Sequence, residues 1–299
     1  MLAKDPADIN SCRAQIERNL KEVLGCDRQS SSQSRLRKAI CLAVLSGGNR
    51  IRPMLAILSC VSLGGRVADA VPLASAIELV HASSLVFDDL PAMDDESKRR
   101  SRPALHRKEG EAIAMLAAIS LLARAFEITG AFDAKHGTVA TLCVAKTIGE
   151  NGMCGGQFMD LVFQSRRDLS AQSREQIERL CIDKTGLLMA TACDLGAMAA
   201  GAGSAERQAL YEYGLRLGLA YQIMDDVGDM TSDARKWRPN YAAVSGPQCA
   251  ERRAVALLDE ARQQSKLLGI DTDPLDNYAQ TLIKCSPALI QPENDCQDS

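Results

Sequence analysis

Three features of the sequence predict an all-α fold. No stretch alternates apolar and polar residues with β-branched enrichment, so no sheet is expected. From Ala68 onward nearly every segment is rich in alanine and leucine at helical spacing, punctuated by Gly, Pro or Ser. The linkers between these segments are short and no repeat of fixed period occurs. One domain over residues 1–299 is therefore expected rather than two, with an N-terminal helix and linker at 1–34 and a polar tail at 287–299.

In chain order, Ile9, Cys12, Ile16, Leu20, Val23 and Leu24 recur at helical spacing, and Gly25 ends that helix. Ser30 to Ser34 reads as a polar linker. A second helix over Arg35 to Leu45 runs into Gly47-Gly48-Asn49-Arg50-Ile51-Arg52-Pro53. A third apolar helix continues to Leu63 and is broken by Gly64-Gly65. Val71 to Phe87 is apolar throughout and reads as a buried helix. Ser170 and Ser173 are expected helix starts, and Gly201-Ala202-Gly203-Ser204 a loop. The tail from Pro287 to Ser299 is mostly polar and expected to fray.

The 299 residues carry a net charge of −3, with 46% hydrophobic and 4% aromatic residues. No basic face stands out, so nothing suggests nucleic acid. Eleven cysteines occur without a Cys-x-x-Cys pair and no signal peptide is evident. They read as buried thiols of a cytoplasmic protein rather than a disulfide framework or zinc site. No apolar run is expected to reach the length of a membrane span, and a soluble protein is expected.

Chemistry concentrates after the buried helix. Asp88, Asp89, Asp94, Asp95 and Glu96 are five carboxylates within nine residues, and Lys98, Arg99, Arg100 and Arg102 follow at once. Carboxylates leaving a buried helix repel one another and lose hydration, which a hard divalent cation such as Mg²⁺ would offset. The downstream arginines suit phosphate, through forked hydrogen bonds. A second cluster, Asp225, Asp226 and Asp229, ends the apolar run Leu215 to Met224 about 140 residues later. Asp225 and Asp229 share a helix face. Asp88 and Asp94 do not on an unbroken helix, but Pro91 lets the chain bend and return Asp94 toward Asp88. Two acidic clusters after apolar helices imply a cavity walled by facing helices.

Smaller signals lie around these clusters. The Gly47–Pro53 turn offers Arg50 and Arg52 to a diphosphate, with flexible backbone beside them. His81 lies on the helix that leads to Asp88. Gly155, Gly156 and Gly186 imply close backbone approach or a kink. Lys184 opens an apolar run, and with Thr185 and Gln222 as oxygen donors it suits a site that generates positive carbon.

Taken together the set resembles the trans-isoprenyl diphosphate synthases, the farnesyl and geranylgeranyl diphosphate synthase family of polyprenyl synthetases. The matches run in family order: the Gly-Gly-x-Arg-x-Arg-Pro turn, His81, Asp-Asp-x-x-x-x-Asp with Arg99-Arg100, Gly-Gly-Gln-x-x-Asp-Leu, Lys-Thr-Gly and Asp-Asp-x-x-Asp. They cover roughly residues 45 to 230 and look most like the bacterial short-chain members. The resemblance implies the isoprenoid synthase fold, antiparallel helices around a central cavity, and a homodimer. It implies Mg²⁺, or Mn²⁺, bound by Asp88, Asp94 and Asp225 with Asp89, Asp226 and Asp229 in support. Arg99 and Lys184 would bind the allylic diphosphate. Gly48, Asn49, Arg52, His81 and Arg100 would hold isopentenyl diphosphate, with Arg238 in place of a family lysine. Lys184, Thr185 and Gln222 would attend the reacting carbon.

Four departures from the family pattern stand out. Asn49 replaces a lysine. Ala117-Ala118-Ile119 stands where many farnesyl synthases have Ala-Gly-Asp and looks closer to geranylgeranyl synthases. Cys181 stands where histidine is frequent. The segment from Met230 to Trp237 is short and lacks the family's glycine- and lysine-bearing loop. Three readings therefore stay open: an elongating prenyltransferase, a lyase-like relative that ionises an allylic diphosphate without elongating it, and a weakly active regulatory subunit. Ser83 and Ser84, without an aromatic ring, favour a twenty-carbon product over fifteen, although Phe126 or Phe158 would close the tunnel sooner.

Overall fold

The computed structural model describes residues 8–27, 34–166 and 172–284, all but four of them outside strands. Ser30 to Gln33, Ser170 and the tail from Pro287, for which a linker, a helix start and fraying are expected, lie outside the described residues. The helix α1 (Ile9–Leu24) is capped by Asp8 and ends at Gly25 in the left-handed conformation, φ 59°. It is followed by α2 (Ser34–Leu45), α3 (Ile51–Ser62) and α4 (Val67–Asp88). Next come the short α5 (Leu105–Glu109), then α6 (Glu111–Gly130), α7 (Gly137–Ile148) and α8 (Met153–Arg166). The chain continues through α9 (Arg174–Cys181), a π-helical turn over Ile182–Gly186, α10 (Leu187–Ala199) and α11 (Ser204–Lys236). It closes with α12 (Tyr241–Ser245), α13 (Pro247–Leu267) and α14 (Asp273–Lys284). Ser173 starts α9 through a capping box with Gln176, as its position predicts.

The core forms around α4. It packs on α1, α3, α6 and α10, and α10 in turn packs on α3 and α11. Leu73, Ile77 and Leu79 of α4, Met54, Leu55 and Ile57 of α3, and Met189 and Leu195 of α10 belong to one fully buried cluster. Burial of whole faces of this kind supplies on the order of 1.5–3 kcal/mol per large aliphatic side chain. It holds the carboxylate-bearing ends of α4 and α11 in place.

Two glycines set the spacing around the π turn. A Cβ on Gly156 of α8 would lie 2.6 Å from the backbone nitrogen of Lys184, and one on Gly218 of α11 would lie 2.7 Å from Cα of Gly186. Both helices therefore press on the turn that carries Lys184 and Thr185. The close approach expected of Gly156 is real.

Four expectations need correction. A two-stranded hairpin is present, with Lys98–Arg99 (β1) paired to Arg102–Pro103 (β2). Arg100 and Ser101 form its turn with φ of 50° and 63°, and charged strands of two residues carry no β-branched signal. Cys26 and Cys41 form a disulfide that ties the end of α1 to α2. The segment after Asp229 is no loop: α11 runs on for about two more turns and stops at Trp237, in a left-handed conformation. Finally, α4 and α6 are each long and apolar enough to cross a membrane by length and composition. Most of α4 is buried within the protein, whereas α6 exposes Met115, Leu116 and Ile119.

Candidate active site

The first acidic group is built by a bend. Past the end of α4, the backbone nitrogen of Met93 donates to the Leu90 carbonyl at 2.9 Å, and that of Asp94 donates back to the Asp88 carbonyl at 2.9 Å. Pro91 sits inside this turn, and Asp94 returns to Asp88 as its position suggests. The second group is carried by α11, where Asp225 and Asp229 lie one turn apart. Asp88 and Asp94 share a cavity of about 360 Å³ with Asp225, Asp226 and Asp229. Lys184, Thr185, Gln222 and Arg238 line the same space.

Burial gives these carboxylates unusual protonation. Asp88 is pushed up to about 6 by burial, with the Lys184 ammonium drawing it down and Asp94 adding to the rise. Asp225 is pushed up to about 6 by burial, reinforced by Asp229 and Asp233. Asp226 rises to about 7 through burial, against hydrogen bonds from Tyr241 and Gln222. Carboxylates whose ionised form is penalised by burial and left without compensation fit a hard divalent cation, which oxygen donors of this type bind. Among the described residues, no three His, Cys, Asp or Glu side chains converge tightly enough to form a closed metal cluster. The two groups face one another across open space, which suits an ion that keeps water and phosphate among its ligands.

Each cation of the cavity is tied to a carboxylate. Arg99 donates through Nε to Asp89 at 2.9 Å, and Asp89 is only 3% exposed. Asp89 therefore faces away from the acidic cavity, toward the hairpin. Lys184 pairs with Asp160, and Arg238 donates to Asp94 at 2.8 Å and to Glu96 at 3.3 Å. Thr185 donates to the Gln222 side-chain oxygen at 3.0 Å, and the Gln222 amide donates to Asp226 at 3.0 Å. Asp226 also accepts from the Tyr241 backbone at 2.7 Å, so it anchors α12 as well as lining the cavity. Cys181 lines the cavity as a buried thiol, raised well above its ordinary range by burial.

The Gly47–Pro53 turn divides its arginines. Arg50 is 3% exposed, paired with Glu78 and Glu17 and donating to the Val44 carbonyl at 2.8 Å. This corrects the expectation that it faces a diphosphate. Arg52 and His81 come together instead, at 3.3 Å between Nη1 and Nε2. Burial holds His81 well below its ordinary value, and the Arg52 and Arg100 guanidiniums reinforce this, so the ring is neutral. Arg100 lies on the turn and donates to the Gly47 carbonyl. Gly48 and Asn49 are exposed, and the Asn49 carbonyl accepts from Arg13 at 3.1 Å.

A second cavity, of about 530 Å³, adjoins the first and is almost wholly apolar. Val80, Ser83, Ser84 and Phe87 of α4 form one wall, Leu122 and Ile148 lie farther along, and Met153, Phe158 and Leu161 of α8 form another. Asp88 and Lys184 border both cavities. Phe158 lines this space, whereas Phe126 packs into the core. Ala117 and Ala118 are buried between α6 and its neighbours and Ile119 points outward, so that segment borders neither cavity.

Sequence reasoning assigned no role to Asp160 or Asp233, and counted Glu96 only as a member of the first acidic run. Asp160 lies within a quoted motif, but its pairing with Lys184, 24 residues away, leaves no local trace. Asp233 lies one turn beyond Asp229 and accepts from Asn240 at 2.8 Å; the continued helix supplied that signal.

Residues 33–241 match the polyprenyl synthetase family. The chain is 35% identical over 254 residues to geranylgeranyl pyrophosphate synthase 12, chloroplastic, of Arabidopsis thaliana, covering 80% of this chain and 70% of that one. It is 34% identical over 204 residues to the heterodimeric geranylgeranyl pyrophosphate synthase large subunit 2 of the same plant, covering 68% of this chain and 54% of that one. Its structure is similar to that of an FPP/GFPP synthase from Zymomonas mobilis, with a TM-score of 0.82 and 28% identity over 92% of this chain and 97% of that one.

Proposed function

The chain belongs to the polyprenyl synthetase family and is a prenyltransferase, and from that premise we propose that it condenses isopentenyl diphosphate with an allylic diphosphate to give geranylgeranyl diphosphate. One observation carries this reading. Asp88 and Lys184 stand where the acidic cavity meets the apolar one, a junction shaped for a ligand with a charged head and a long hydrocarbon tail.

Asp88, Asp94 and Asp225 would hold Mg²⁺, with Asp226 and Asp229 in support. When bound, the ion neutralises charge on the departing diphosphate. Lys184, Arg99 and Arg238 supply further cations once released from Asp160, Asp89 and Asp94. Thr185 and Gln222 hold one another and Asp226 in a chain, which fixes their oxygen dipoles beside the reacting carbon. Arg52, neutral His81 and Arg100 would hold the second diphosphate. The walls of the apolar cavity exclude water that would quench a carbocation. The exposed apolar residues of α6, with Val139 and Leu142 of α7, support a homodimer.

The deciding assay combines purified protein, Mg²⁺ and farnesyl or geranyl diphosphate, with and without isopentenyl diphosphate, and reads products by mass. A chain longer by five carbons only when isopentenyl diphosphate is present supports elongation. Loss of diphosphate without elongation would establish the lyase reading instead, and no turnover would point to a regulatory subunit.

Three further outcomes are expected. Asn49→Lys adds a cation to an exposed position on the turn. If it reaches isopentenyl diphosphate, the charge-assisted contact is worth roughly 1.5–3 kcal/mol, and the KM for that substrate falls about tenfold or more while the allylic KM is unchanged. An unaltered KM would show that Arg13 and Arg100 already serve that end of the turn.

Product length is tested at α4. Ser83 is fully buried and donates to the Ala118 carbonyl at 3.0 Å, so a ring there overpacks the contact with α6. Ser84 is half-buried on the cavity wall and is the better site. Ser84→Phe is expected to shift product from twenty carbons to fifteen without abolishing the first condensation. An unchanged distribution in an active variant would place the floor elsewhere.

The raised carboxylates predict a pH dependence. Asp88 and Asp225 at about 6, and Asp226 at about 7, keep protons that the unfolded chain releases near 4. The folded state binds more protons in that window, so metal-free stability falls as pH rises from about 4 to about 7. Metal needs the ionised carboxylates, so millimolar Mg²⁺ should raise Tm more at about pH 8 than at about pH 5. Equal shifts at both values would remove these aspartates from the metal site.

A further inference from the structure

We propose that Glu96 is a positioning residue: it accepts Arg238 when Asp94 turns to Mg²⁺, and so keeps the end of α11 fastened across the acidic cavity. This rests on the metal reading given above and concerns the fate of a cation that now occupies one of the metal-binding carboxylates.

Arg238 stands between two acceptors. Its Nη2 donates to Asp94 Oδ2 at 2.8 Å and to Glu96 Oε1 at 3.3 Å. One nitrogen therefore reaches both carboxylates, and the guanidinium can pass from one to the other without leaving either unattended. The other Asp94 oxygen, Oδ1, is buried and has no hydrogen-bond partner. Asp94 is thus half open to a ligand and half held by Arg238, and a guanidinium and a divalent cation compete for the same negative charge. Arg99 and Lys184, the other cations of this cavity, are each paired with one carboxylate, Asp89 and Asp160. Of the three, Arg238 alone is shared.

Glu96 suits a fixed post better than a metal ligand. Lys236 donates through Nζ to the same Oε1 at 2.5 Å, which orients the carboxylate and offsets part of its charge. Lys236 is the last residue of α11, and Trp237 beyond it turns the chain with φ of 55°. A bulky residue keeps that conformation only where its neighbours hold it. The far side is secured by Asn240, which donates to the Asp226 carbonyl at 2.7 Å and to Asp233 at 2.8 Å. The near side is a final helical turn, which frays unless tied. Its ties are the Arg238 backbone bond to the Asp233 carbonyl at 3.0 Å and the two side chains on Glu96. Without Glu96, metal at Asp94 would leave Arg238 no acceptor and loosen this turn.

Trp237 is the sole tryptophan of the chain, so its fluorescence anisotropy reports on this turn. The test titrates the full chain with Mg²⁺ alone, read by calorimetry and by Trp237 anisotropy. Glu96→Ala is expected to weaken Mg²⁺ binding at least about fivefold, because Arg238 then stays on Asp94. In an Arg238→Met background the same substitution should change the affinity by less than about twofold, since no guanidinium is left to relocate. Lys236 is freed in both backgrounds and cancels from the comparison. Saturating Mg²⁺ should lower the anisotropy of Glu96→Ala and leave that of wild type unchanged. Glu96 and Arg238 are each 26% exposed, so neither substitution empties the core. An equal loss of affinity in both backgrounds would make Glu96 a ligand or a bystander charge and overturn the proposal, as would undiminished affinity in Glu96→Ala. If wild type does not bind Mg²⁺, or binds it as well after Asp88→Ala and Asp225→Ala, the metal reading itself fails and this proposal falls with it.

Discussion

Replacing Asp88 or Asp225 by alanine should reduce turnover by at least about a hundredfold, a loss of roughly 2.7 kcal/mol or more of transition-state stabilisation. Both carboxylates line the acidic cavity from opposite helices. Both are held near 6 by burial, with no arginine or lysine among the described residues bonded to either. Their charge is therefore reserved for a cation that enters with substrate. Folding should not suffer. An acid whose folded-state pKa is raised is a net cost at neutral pH, because the fold resists the ionised form. Metal-free Asp88→Ala and Asp225→Ala should thus match or exceed wild type in urea unfolding, with unchanged helical circular dichroism. Mg²⁺ should raise their Tm less than that of wild type. Retention of more than about a tenth of wild-type turnover by both would sink the assignment, since that spans less than about 1.4 kcal/mol.

What was legible in the sequence follows from how local each signal is. The helices were readable because apolar spacing and caps lie within a few residues of each element. Asp8, Gly25 and Ser173 are such local signals. The family was readable because its motifs are short and ordered along the chain. The return of Asp94 to Asp88 was readable because Pro91 breaks the helix between them. The partners of the charged residues were not. Arg99 with Asp89, Lys184 with Asp160 and Arg238 with Asp94 are separated by 10, 24 and 144 residues. No pattern within one chain segment records such pairings. The Cys26–Cys41 bridge was missed for a related reason: scattered cysteines of odd number say nothing about which two come together. The continuation of α11 past Asp229 was missed because the motif comparison invited a loop there, while Met230 to Lys236 has helix-compatible residues throughout.

The sharpest consequence of those hidden pairings concerns Arg50. The sequence places it beside Arg52 as an equal candidate for phosphate, but the structure buries its side chain to 1% exposure against Glu78 at 3%. A second tether runs to Glu17 at 2.6 Å and a third to the Val44 carbonyl at 2.8 Å. Arg50 also precedes α3 with φ of 52°, a left-handed conformation that a bulky residue adopts only when its surroundings hold it. Burial pushes Glu78 upward, and the Arg50 guanidinium is the chief group pulling it back. Arg50→Met would leave Glu78 buried without its main partner. Breaking a pair of this kind costs about 3–5 kcal/mol, a large share of the stability of an ordinary domain, roughly 5–15 kcal/mol. Urea midpoints should fall accordingly. Glu78→Gln added to Arg50→Met should recover a good part of the loss, because the stranded charge is removed while the amide keeps its hydrogen-bonding capacity. The single-variant penalty should also shrink toward acid pH, where Glu78 is protonated in both states. If Arg50→Met instead leaves the midpoint unaltered and raises only the KM for isopentenyl diphosphate, Arg50 is a substrate ligand after all and the buried pair is dispensable.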